Sequence, residues 1–97
     1  MKILSSLILL ATLASCSTST TQLSDSGKNV RVYPNRRGLQ CEVVGKVVGE
    51  NKEGSVELAR NHARNLAGEK GADGIVFDEE IQNGSNWKVH STAFKCE

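Results

Sequence analysis

The chain opens with a segment built to be removed, and whatever folds must lie behind it. Lys2 supplies a single positive charge. Ile3 to Leu13 form an apolar stretch broken only by Ser5, Ser6 and Thr12, and the small residues Ala14 and Ser15 stand just before Cys16. A basic start, an apolar centre and small residues at the cut make a secretory signal, and the run is too short for a permanent membrane span. The expected signal peptide is residues 1–15, which leaves a small domain for the rest.

The segment Leu13-Ala14-Ser15-Cys16 resembles the lipobox of bacterial lipoproteins. That resemblance implies that the Cys16 thiol takes a diacylglyceryl group, that the preceding peptide is cleaved, and that the new amino group is acylated. Several acyl chains on one residue anchor firmly, since each buried methylene contributes about 0.8 kcal/mol. Ser17 follows where an Asp would signal inner-membrane retention, so similarity to Gram-negative sorting implies the outer membrane.

Residues 17–29, STSTTQLSDSGKN, are rich in Ser and Thr with one large apolar residue, Leu23. Such a composition buries too little apolar surface to offset its ordering entropy, and residues 16–29 read as a lipidated cysteine and flexible tether. About 13 residues of free chain have an r.m.s. reach of roughly 20 Å and a limit of about 45 Å.

With Lys2 removed, 11 basic residues balance 11 acidic ones. Neither a basic surface interleaved with aromatics nor a polybasic segment is present, which argues against nucleic acid and against electrostatic membrane binding. Residues 30–97 form one small domain of the size that often needs a covalent staple. In an exported chain with Cys16 lipidated, two thiols remain, Cys41 and Cys96, and they are expected to form a disulfide. Closing so long a loop is worth about 4 kcal/mol by chain entropy.

Val30 to Tyr33 alternate as a short strand ended by Pro34-Asn35. Cys41 to Val48 read as an apolar strand buried on both faces, with Gly45 marking a bulge or a close approach, and Gly49 to Gly54 as a polar loop. Ser55 to Lys70 is a helix with Ser55 as N-cap and Gly71 at its exit. Val56, Ala59, Ala63, Leu66 and Ala67 make a stripe of mostly small residues that should lie close against a sheet, while Arg60, Asn61, Arg64 and Asn65 form the wet side. Ile75 to about Ile81 and Trp87 to Cys96 are strands joined by the hairpin signal Asn83-Gly84-Ser85-Asn86. The expected fold is a small α+β domain, β-β-α-β-β, with one helix on a mixed sheet. The helical crossover makes the second and third strands parallel, and the hairpin makes the fourth antiparallel to both. Cys41 and Cys96 then fall at the same edge of the sheet.

The segments GKNVRVYPN, CEVVGKVVG, ARNHARNLAGEKGADGIVF and STAFKCE together resemble a family of small Gram-negative lipoproteins of unknown function (YjeI-like), both domain cysteines included. More distantly, Val30 to Asn35 and Val44 to Gly49 are similar to the RcsF family, outer-membrane lipoproteins that signal envelope damage to the Rcs phosphorelay. That family carries four domain cysteines and a Pro-rich linker, whereas this chain has two cysteines and a short polar tether. The resemblance spans about residues 27–97, and the better-matching family implies no activity.

The chemistry-bearing residues are sparse. His62 and His90 are the two histidines. Together with Cys41 and Cys96 they show no metal-ligand spacing, so His62 reads as solvated on the helix and His90 as a strand residue, with no metal or other cofactor expected. Asp78-Glu79-Glu80 reads as a solvated strand end. There is no nucleophile elbow and no phosphate loop. A redox role for Cys41 and Cys96 is disfavoured against a structural bridge, because reactive pairs usually lie close in sequence. The sequence therefore points to a non-catalytic module of the envelope, held in the membrane by its lipid and contacting another envelope protein, with Arg60 and Arg64 as the candidate partner face. The alternatives are an RcsF-like stress sensor and a thiol-redox or enzymatic factor.

Overall fold

Ser55 starts the helix for the reason its side chain supplies: its Oγ accepts the Leu58 amide at 3.1 Å and satisfies a first-turn donor. The computed structural model describes residues 21–96. The expected signal peptide (1–15) and the lipidation at Cys16 lie outside the described residues. The elements are α1 (Asp25–Lys28), β1 (Arg31–Tyr33), β2 (Glu42–Asn51), α2 (Val56–Glu69), β3 (Gly74–Asn83) and β4 (Asn86–Lys95). No helix among the described residues is long and apolar enough to cross a membrane.

One helix, α2, packs on a four-stranded mixed sheet of order β1-β3-β4-β2. β1 pairs parallel with β3, and β4 pairs antiparallel with both β2 and β3. The second and third strands thus run in the same direction, as a helical crossover demands, and the returning hairpin inserts β4 between them. This places the start of β2 beside the end of β4. Cys41 and Cys96 are bonded there, with Cα atoms 4.2 Å apart.

The small-residue stripe explains how closely helix and sheet approach. Ala59, Ala63 and Ala67 are fully buried against Val47, Ile75, Val89 and Ala93, with Val56, Leu66, Phe77 and Trp87 closing the margins. Gly49 is the contact point on β2. A Cβ there would overlap the Ala59 carbonyl and meet the Ala63 amide nitrogen at 2.5 Å. The glycine that reads as the start of a loop is therefore interior strand, and β2 continues to Asn51. The turn after it is shaped by Asn51, whose Oδ1 accepts the amides of Glu53 and Ser55. The irregularity expected at Gly45 is a bulge in the β2–β4 register, between Val43 and Gly45.

Two further expectations are corrected here. β2 is an edge strand buried on one face: Val43, Val44 and Val48 remain exposed, because this face of a two-layer fold has no second helix. The expected tether is also partly folded. Residues 21–29 run along α2, and Ser24 caps α1 by accepting the Gly27 amide at 3.0 Å. Composition does not reveal this because hydrogen bonds and glycine contacts, rather than apolar area, hold the segment.

Candidate functional site

The polar side of α2 carries the residues expected to meet a partner, and it is already engaged. Asn61 and Asn65 are one turn apart and share a face. Asn61 Nδ2 donates to the Thr21 carbonyl at 3.2 Å, and Asn65 Nδ2 donates to the Gln22 carbonyl at 2.9 Å. Asn65 Oδ1 accepts the Ser24 amide at 2.8 Å. Gly68 lets the chain come close, since a Cβ there would meet the Ser26 carbonyl carbon at 2.7 Å, and Gly27 similarly leaves room for Asn65. Residues 21–29 thus form a strap, pinned by two amide side chains and two glycines, that leads into the buried Val30.

Arg60 and Arg64 are not a free wet surface. Arg60 forms a two-pronged pair with Glu80 on β3, Nε to Oε2 at 2.6 Å and Nη2 to Oε1 at 2.7 Å. This hydrogen bond holds the Glu80 carboxyl below its ordinary range against the opposing effect of burial, and it raises the Arg60 guanidinium correspondingly. Arg64 donates from Nη2 to the carbonyl of Val30, the residue that follows the strap, at 3.0 Å. The sequence pattern puts both arginines on the polar face correctly, but it does not reveal that the strap and Glu80 occupy that face.

The acidic run is split rather than gathered. A register shift between Phe77 and Glu79 turns Glu80 toward the helix and leaves Asp78 on the opposite face, where it accepts the Thr92 hydroxyl at 2.6 Å. His62 is likewise engaged within the fold. Its Nδ1 accepts the Glu50 amide at 2.9 Å, a donor on the outer edge of β2. The expectation of a solvated His62 fails because α2 lies low enough over the edge strand for the ring to cover it. His90 pairs with Val48 and Glu79 across the open sheet face. Among the described residues no three His, Cys, Asp or Glu side chains converge as a metal site.

At the disulfide end, the Phe94 ring lies against Gly74, stands 5.6 Å from Tyr33 and lines a cavity of about 220 Å³ with Arg36, Leu39 and Cys41. The bridge is thus integrated with a small aromatic cluster. The strap is the feature that sequence reasoning missed. Its signals were the Ser24-Asp25 helix start, Gly27, and the Asn61/Asn65 spacing opposite Gly68.

No family model and no curated protein matches the chain. Among solved structures, it is similar in fold to a secreted protein of Salmonella typhimurium LT2, determined in solution by NMR, with a TM-score of 0.54 and 20% identity over 99% of this chain and 88% of the other.

Proposed function

We propose that this is an extracytoplasmic, lipid-anchored and non-catalytic module that presents a rigid domain close to the outer membrane for contact with another envelope component. The observation that carries this reading is the docked strap. With residues 21–29 held along α2, only residues 17–20 separate Cys16 from the folded domain, a span of at most about 18 Å. A domain whose linker is consumed by docking is held near its anchor in a limited set of orientations, which suits a presenting role. The Cys41–Cys96 bridge and a fold neighbour that is a secreted protein both support an oxidising location outside the cytoplasm. The residues with catalytic potential serve as structural partners: His62 for Glu50, Asp78 for Thr92, Glu80 for Arg60. They favour binding over catalysis.

The test is mass analysis of the mature N-terminus. An acylated N-terminal Cys16 is the expected result. A mature chain without acyl groups overturns the anchored reading.

A further inference from the structure

The strap does more than shorten the linker: it builds one wall of a basic cleft. We infer that the cleft between α1, α2 and the edge strand β1 is a binding site for a phosphate group. Lys28 on α1, Arg31 on β1 and Arg64 on α2 line it, with Val30 and Val32, and no carboxylate is among the lining residues. The mature chain is balanced in charge, so three cations around one cleft without an acid are a local concentration rather than a share of a general excess. Among the described residues the ion pairs are Arg60–Glu80 and Lys88–Glu50, and neither involves these three cations.

Arg64 is the cation held most firmly at this cleft. Its Nη2 donates to the Val30 carbonyl at 3.0 Å, which fixes the guanidinium beside the cleft it lines. An anionic oxygen entering the cleft would meet that guanidinium, already oriented by its Val30 bond, with Lys28 and Arg31 adding charge from the other two walls. Arginine forks suit phosphate oxygens, and lysine adds a point charge. The cleft, about 550 Å³ and open to solvent, has room for a phosphate with a substituent attached. The ligand chemistry is therefore a phosphate group, carried by a lipid headgroup or free in solution. The inference does not depend on the anchor.

The test uses the full chain in neutral-detergent micelles, with the Arg64 Nε–H resonance followed as inorganic phosphate is added. The expected result is a saturable shift with a dissociation constant at or below about 1 mM. The Lys28→Gln/Arg31→Gln double variant, which removes two exposed side chains and no internal hydrogen bond, should weaken binding about tenfold or more. Phosphatidic acid is then added to the micelles. Displacement of inorganic phosphate identifies the source as a headgroup, and an unchanged phosphate response identifies it as soluble phosphate. A drift of the resonance that never saturates, or an equal response in the double variant, overturns the site.

Discussion

The two faces of the sheet are covered by different means. On one side α2 lies directly on strand backbone, and the contact is made of alanines and glycine: Ala59, Ala63 and Ala67 over Gly49, Val47 and Ala93. On the other side no helix exists among the described residues. The lower half of that face is closed by the fully buried Phe94, beside Tyr33 and under the segment bearing Arg36 and Leu39, and the upper half is left open, with Val48 and Ile81 exposed. The helix face gains its stability by closeness and tolerates no added atoms. The outer face depends on one large side chain and tolerates no loss of it. Small residues and large ones thus fail in opposite directions.

The largest effect should come from the outer face. Phe94→Ala removes its main cover and should cost about 3–5 kcal/mol in urea unfolding; a cost below about 1 kcal/mol would mean that the Arg36–Leu39 segment closes the gap unaided. Next comes the helix face. Gly49→Ala should cost about 1–3 kcal/mol, because the added methyl meets helix backbone and α2 must shift. A neutral or stabilising result would show that the helix rides higher than Gly49 requires. The smallest effect belongs to the polar margin of α2. Glu80 has a lowered carboxyl pKa, so its pairing with Arg60 is present above the ordinary carboxylate value of about 4.3 and is lost as pH falls through the lower folded value. Both side chains are partly exposed, so the contribution is only about 0.5–1 kcal/mol. Unfolding of Glu80→Gln should differ from the parent by that amount at about pH 6 and converge with it in acid.

Legibility in the sequence follows the range of the interaction. The N-cap at Ser55, the two-residue hairpin loop Gly84-Ser85 and the small-residue stripe are local patterns, and each is found where the pattern places it. Strand directions follow from connection rules, and the disulfide from the cysteines left for pairing. Features that depend on contacts between distant residues are not legible. The helix-docked Gly49 looks like any loop glycine until the helix is placed over it. A serine-rich stretch looks like solvent-exposed chain until Asn61 and Asn65 are found opposite its carbonyls. The role of His62 is hidden for the same reason, because nothing local distinguishes a solvated helix histidine from one covering a strand edge. Arg60 and Arg64 fall on the right face with the wrong occupancy, since amphipathic periodicity reports which side is polar and not what lies on it.

The Cys41–Cys96 bond also divides the chain topologically. It closes a covalent ring containing β2, α2, β3 and β4, while the strap (with α1 inside it) and β1 hang outside as a tail. An opening fluctuation can peel the tail from α2 and β3 while the ring keeps its shape, so the domain has two tiers of cohesion, with the lower one on the N-terminal side. In an anchored chain, any pull from the membrane would be felt first by the tail. Mechanical load would then be taken up by the Asn61 and Asn65 bonds and the short β1 ladder before it reached the crosslinked ring.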